Sequence, residues 1–259
     1  MRFALVHGAF HGAWCWERLI PELRALGHDA IAMDLPGHGA RRAEASTLTG
    51  YREAVLQVLR PGDVLVGHSM GCVVATLAAD AFPDLRGITY IAGPLPVDGR
   101  PLTEEMGGGR GENGAATVSR VEDGADQYLR ISEDGQFFSL GFEGAVDGFL
   151  HDCDEGVAAW AFDHLTPQHI GVLVSEPVRT TGIGLARVPP TYIRCTQDRV
   201  FPRELSDRQI AKLGVTPFEI DSSHSPFLSR PAELARLLIR CVDTSTSTRG
   251  ELSGTGIKK

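Results

Sequence analysis

The chain has 259 residues, 42% of them hydrophobic and 22% charged, with a formal net charge of −8; that composition fits a globular protein with a sizeable core, built as one large domain or two small ones. The acidic balance and the lack of a basic stripe argue against a nucleic-acid partner, and no apolar run is long enough to span a bilayer. Five scattered cysteines without C-x-x-C spacing, Cys15, Cys72, Cys153, Cys195 and Cys241, read as reduced thiols, and with no visible signal peptide they point to a cytoplasmic protein.

Along the chain, apolar runs of strand length alternate with helical periodicity. "RFALVHG" at 2–8 predicts a strand and "AWCWERLIPELRALG" at 13–27 a helix. "HDAIAMDLPG" at 28–37, "DVLVGHS" at 63–69 and "GITYIAG" at 87–93 predict further strands, with helices at "LTGYREAVLQVL" (48–59) and "MGCVVATLAADAF" (70–82) between them. After a long interval the pattern resumes with strands at "PTYIRC" (190–195) and "TPFEI" (216–220) and helices at "RELSDRQIAKLG" (203–214) and "PAELARLLIRCV" (231–242). Several of the strands are apolar without alternation, as in a sheet covered on both faces. The alternation predicts an α/β fold with a mostly parallel central sheet flanked by helices.

Residues 95–188 interrupt this order. The interval is far longer than a crossover needs, and no strand stands out in it. It carries a glycine-rich stretch, "GGGRGENG" at 107–114, and then Phe137, Phe138, Phe142, Phe149, Trp160 and Phe162. It is read as a helical cap inserted over the carboxyl edge of the sheet. Residues 1–94 and 189–242 then form the core, and the small, polar residues 243–259 are expected to form an unstructured tail.

The chemistry centres on Gly67-His68-Ser69-Met70-Gly71. G-x-S-x-G between a strand and a helix is a nucleophile elbow, in which small neighbours let strand and helix approach and the serine projects over the sheet edge at a helix N-terminus. A serine needs a base. "DSSHSPFLSRPAEL" follows the last predicted strand, which makes His224 the candidate base; "TYIRCTQDRVFP" follows the strand before it, which makes Asp198 the candidate acid. Asp221 and Asp207 are the alternative acids. The backbone N–H of Met70 and that of Ala9, in the loop "VHGAFHGAWCW", are the candidate oxyanion donors.

"LVHGAFHGAWCWERLIPELRALGHDAIAMDLPGHG", the elbow, "CTQDRVFP" and "SSHSPFLSRPAEL" together resemble the α/β-hydrolase superfamily, and within it the group of plant methylesterases, plant hydroxynitrile lyases and bacterial carboxylesterases. The resemblance covers roughly residues 2–100 and 188–242 and is weak in the cap. Cys72 stands where the group often has a second glycine; cysteine is small, so the packing of strand on helix is expected to survive. The resemblance gives the lyases a threonine in the first loop and a lysine after the histidine. Here those positions are Gly8 and Ser225, which favours an esterase. Dehalogenases and epoxide hydrolases want a carboxylate nucleophile. A structural role for His68 is likewise implied by the resemblance.

The expected activity is hydrolysis of a carboxylic ester of a small or medium hydrophobic compound through an acyl-enzyme, with no metal or organic cofactor. Two alternatives stay open: a hydrolase, lactonase or cyclase acting on a pathway-specific intermediate such as a polyketide, and a non-catalytic small-molecule binder. Gly8, His11, Phe138, Phe142, Trp160 and Phe162 are the candidate substrate-binding residues. Trp14 and Trp16 read as core or pocket wall. The G-x-G-x-x-G at 109–114 lacks the flanking strand and helix of a nucleotide site, and "HDCDE" at 151–155 reads as a solvated loop or helix start, not a metal site. The oligomeric state is left open.

Overall fold

The computed structural model describes residues 1–106 and 129–253. The glycine-rich stretch at 107–114 lies outside the described residues. In chain order the first half contains β1 (Arg2–Val6), α1 (Leu19–Ala25), β2 (Asp29–Met33), α2 (Leu48–Leu56), β3 (Val64–His68), α3 (Met70–Ala81) and β4 (Gly87–Ile91). The intervening segment holds β5 (Leu129–Ile131), β6 (Phe137–Leu140), α4 (Phe142–Ala145), α5 (Glu155–His164), β7 (Gln168–His169) and α6 (Ile170–Val174). The chain closes with β8 (Pro190–Cys195), α7 (Arg203–Leu213), β9 (Phe218–Ile220), α8 (Pro226–Ser229) and α9 (Pro231–Ser253).

The six strands expected from apolar runs form one sheet in the order β2-β1-β3-β4-β8-β9, with every pair parallel. Every residue of β3 and β4 is buried, which is why these strands read as continuous apolar runs. Because all six strands run the same way, the loops after them emerge at one edge. The chain moves outward from β1 to β2 and then returns to place β3 on the other side of β1, so the order reverses between β1 and β3. Such a reversal opens a crevice at the carboxyl ends of the strands. Gly8 and Ser69 follow the two strands that flank it.

Three expectations are corrected. The helix predicted over 13–27 is a short 3-10 turn, Ala13–Trp16, followed by α1. A helix begun at Ala13 would hold Pro21 in its interior, where proline supplies no N–H and clashes with the carbonyl four residues back; starting at Leu19 puts Pro21 in the first turn. The segment expected to be helical also contains a three-stranded antiparallel sheet, β5-β6-β7. Its hairpin turns at Asp134-Gly135, with Gly135 at φ 68°, a signal that aspartate–glycine turns carry and that strands of two to four residues do not. Finally, α9 runs to Ser253, so the expected tail begins as a continuation of the helix. Extending a docked helix needs no new nucleus.

The segment is tied to the core by polar contacts, some of them buried. Gln168 of β7 is fully buried and bonds His38 Nε2 at 2.9 Å. Asp80, at the end of α3, accepts hydrogen bonds from the backbone N–H groups of Thr181, Gly182 and Gly184. These bonds hold its carboxyl at about 2, below the usual range, against the opposing effect of burial.

Candidate active site

Ser69 sits between β3 and α3 at φ 51°, ψ −124°, a left-handed conformation that costs a non-glycine residue roughly 1–3 kcal/mol. The surroundings impose it. The Ser69 N–H donates to Ile91 O at 3.0 Å, and Ser69 O accepts from the Cys72 N–H at 2.9 Å. The flanking glycines are required by contact. A Cβ on Gly67 would lie 2.5 Å from Gly71 O, and one on Gly71 would lie 2.5 Å from His7 O. Gly93, which the sequence reading did not single out, faces Ser69 O with equal closeness: a Cβ there would lie 2.4 Å away. Cys72 is accommodated as expected. Its thiol is buried and donates to Gly67 O at 3.1 Å.

His224 lies on the loop after β9 and Asp198 on the loop after β8. His224 Nδ1 is 2.7 Å from Asp198 Oδ2, and both side chains are buried. The other carboxylate oxygen, Oδ1, accepts the N–H groups of Val200 and Phe201, each at 2.8 Å. The aspartate is thus oriented by its own loop. With a carboxylate as acceptor, Nδ1 carries the imidazole proton and Nε2 presents a lone pair. That Nε2 is buried and has no hydrogen-bond partner, Ser69 Oγ included. The alternative acids are engaged elsewhere. Asp221 is exposed and accepts from Thr196 and Gln197, and Asp207 pairs with Arg194.

His68 joins the serine to the histidine. Its Nε2–H donates to His224 O at 2.8 Å, and the two rings lie 4.7 Å apart. Burial, reinforced by the neighbouring His224, pushes the His68 imidazole well below its usual pKa.

The loop after β1 closes the other side. A Cβ on Gly8 would lie 2.9 Å from Ser69 Cβ and from His68 Nδ1, so Gly8 abuts the serine and Ala9 follows it. Met70 is the first residue of α3, and its N–H is among those a helix start leaves free. His11 is buried beside this loop. Its Nδ1–H donates to Ala9 O at 2.8 Å, and its ring stacks on Trp14 and meets His68, Phe149 and Phe227. Burial holds it at about 4.

The aromatic residues expected to bind substrate lie on different elements of the segment between β4 and β8. Phe142 is half exposed and packs edge-on against Phe162 at 5.2 Å. Phe138 is buried on β6. Trp160 packs edge-on against Trp14 at 5.4 Å, whose ring in turn stacks on His11. Among the described residues, ring contacts to His224 come from His68 and from Phe149, the latter edge-on at 5.2 Å. Phe149 lies in a π-turn, Val146–Leu150, a local widening that recurs at functional sites. Ser223 Oγ donates to Phe149 O at 2.8 Å, the His151 Nε2–H donates to Gln197 O at 3.0 Å, and Asp147 pairs with Arg199. The turn is therefore pinned to the loops that carry both His224 and Asp198. Spacing in the sequence singles out no one ring among six, and only these tertiary bonds identify Phe149.

"HDCDE" ends in the start of α5 at Glu155, and among the described residues no cluster of histidine, cysteine or carboxylate side chains is arranged to hold a metal ion. All five cysteines are free. No helix among the described residues is long and apolar enough to cross a membrane.

Residues 3–237 match the family described as "Alpha/beta hydrolase family". "Esterase PIR7B" of Oryza sativa subsp. japonica is 40% identical over 117 residues, covering 40% of this chain and 44% of the rice protein, so this match spans less than half of that relative's length. "Methylesterase 7" of Arabidopsis thaliana is 28% identical over 265 residues, covering 93% of this chain and 96% of the plant protein. Among solved structures, polyneuridine aldehyde esterase superposes with a TM-score of 0.75 at 24% identity, covering 92% of this chain and 98% of that one; at that identity the likeness is one of fold.

Proposed function

This chain belongs to the alpha/beta hydrolase family, and from that premise we propose that it is a serine hydrolase cleaving carboxylic esters of small or medium hydrophobic compounds. The observation that carries the reading is the 2.7 Å bond from His224 to Asp198, which leaves a bare imidazole nitrogen at the sheet edge where Ser69 stands in a strained elbow. His224 Nε2 takes the Ser69 proton as the hydroxyl attacks the ester carbonyl, and Asp198 holds the tautomer and stabilises the imidazolium. The N–H groups of Ala9 and Met70 receive the oxyanion, helped by the positive end of α3. The imidazolium gives its proton to the departing alcohol. Water, with His224 again as base, then releases the acid from the acyl-serine. No step calls on a metal or organic cofactor.

Gly8 leaves room for the carbonyl. His11 and Phe149 supply the apolar wall, with Trp14 and Trp160 behind, and residues 95–188 act as the cap that excludes bulk water. Each buried methylene of the substrate contributes about 0.8 kcal/mol, so apolar esters outrank charged ones. The relatives named esterase and methylesterase support an ester substrate. The free cysteines support a reducing, cytoplasmic setting.

A fluorophosphonate probe and p-nitrophenyl esters of increasing acyl length test the reading. Wild-type protein is expected to take the probe on Ser69 and to turn over the esters. Ser69→Ala and His224→Ala are each expected to lower kcat/KM by roughly four to six orders of magnitude, and Asp198→Asn by about 10⁴. Full ester turnover by Ser69→Ala would sink the mechanism.

A further inference from the structure

Three successive carbonyls in the loop after β1 are each held by a specific donor. His7 Nδ1–H donates to Gly8 O at 2.8 Å, His11 Nδ1–H to Ala9 O at 2.8 Å, and the Thr166 N–H to Phe10 O at 2.8 Å. A carbonyl fixed in direction fixes its whole peptide plane, because the peptide is rigid. The loop that borders Ser69 therefore has the orientation of three consecutive peptide units set by side chains or by a distant segment of backbone.

The first of these bonds bears on catalysis. Gly8 C=O and Ala9 N–H belong to one peptide unit, and no peptide bond described is cis. In a trans unit the two groups point in opposite directions. Drawing Gly8 O toward His7 turns the Ala9 N–H away from His7. Gly8 itself is in contact range of Ser69 Cβ. The His7 tautomer is fixed from behind, because its Nε2 accepts the Leu35 N–H at 3.1 Å, and a ring that accepts at Nε2 carries its proton on Nδ1. The ring is fully buried, and burial together with the neighbouring His38 keeps it neutral by pushing its pKa well below the usual value.

We propose that His7 is a positioning residue that holds the Gly8–Ala9 peptide so that the Ala9 N–H faces the oxyanion formed at Ser69. The proposal rests on the hydrolase reading above. A hydrogen bond to the carbonyl also polarises its own amide, so the same contact strengthens the Ala9 N–H as a donor. His7 touches no reacting atom and acts only through this peptide.

Two substitutions separate this role from a purely structural one. Both His7→Leu and His7→Asn remove the acceptor for the Leu35 N–H, but an asparagine amide can still donate from near the position of Nδ1. Loss of one oxyanion donor costs about 10²–10³ in kcat. His7→Leu is therefore expected to lower kcat about 10²-fold with KM little changed. It should weaken a trifluoromethyl ketone inhibitor, whose adduct places an oxyanion in the hole, by a similar factor. His7→Asn is expected to recover both to within about tenfold of wild type. Equal losses in the two variants, or a loss confined to KM, would overturn the proposal. Should His7→Leu not fold, nitrogen-15 spectra of the wild-type imidazoles keep the proposal open to refutation: His7 must appear as the neutral Nδ1–H tautomer at pH 7, and an Nε2–H or protonated ring overturns it. Wild-type protein that takes no fluorophosphonate on Ser69 overturns the hydrolase reading itself, whereas labelled wild type with indifferent His7 variants overturns only the role of His7.

Discussion

At Gly71 the space between β1 and α3 has run out. A Cβ there would stand 2.5 Å from His7 O and 2.6 Å from Val6 O, backbone atoms at the end of β1 and of the residue after it. Gly71→Ala should therefore destabilise the protein by about 1–3 kcal/mol, as overpacking does, read as a lower urea midpoint at unchanged slope. Gly8→Ala meets a different obstacle, since its Cβ would press on Ser69 Cβ and His68 Nδ1 at 2.9 Å. Its main effect should be a fall in kcat/KM with a smaller loss of stability. If both variants behave as wild type in both measurements, the close approach at the elbow is not real. The sequence made the serine, the histidine and both elbow glycines legible, because a strand–turn–helix junction imposes local spacing. It left Asp207 and Asp221 as rivals of Asp198, because Asp198 and Asp221 both follow late strands, Asp207 lies close by in α7, and only the fold decides which carboxylate meets His224.

Most strands and helices of the core were readable because they are long enough to show an apolar run or a helical period and are bounded by turn residues. The segment between β4 and β8 was not. Its strands have two to four residues, too few for alternation to register, and its most consequential element is a π-turn with no period of its own. That turn carries Phe149 against His224, His11 and Phe10. Phe149→Ala opens a cavity in a site that cannot readily collapse and should cost about 3–5 kcal/mol. It should also reduce the preference for longer over shorter acyl chains in an ester series. Ser223→Ala removes the bond to Phe149 O and the longer one its hydroxyl accepts from the Ser225 N–H, and should cost about 1 kcal/mol. An ester preference unchanged in Phe149→Ala would remove this ring from the proposed pocket.

Across the whole molecule the histidines make folding sensitive to acid. Burial lowers the pKa of His7, His11, His38 and His68 in the folded protein. Below about 6.5 the unfolded chain binds protons that these folded sites refuse, so the unfolding free energy falls with pH until the folded sites protonate as well. For His11 that window runs from 6.5 down to about 4. This residue alone should remove about 2 kcal/mol by pH 5. Urea midpoints at pH 7 and pH 5 should show a marked drop, and no change between them would contradict the burial of these rings. Distant chain segments meet again at Phe10, whose carbonyl takes the Thr166 N–H from the segment after β4. Chimaeras that exchange this segment between relatives would replace one of the three anchors of the β1 loop together with the proposed cap. A transplanted segment that brings no matching donor would leave the Phe10 carbonyl bare, so a library of such hybrids should sort by turnover as well as by ester choice.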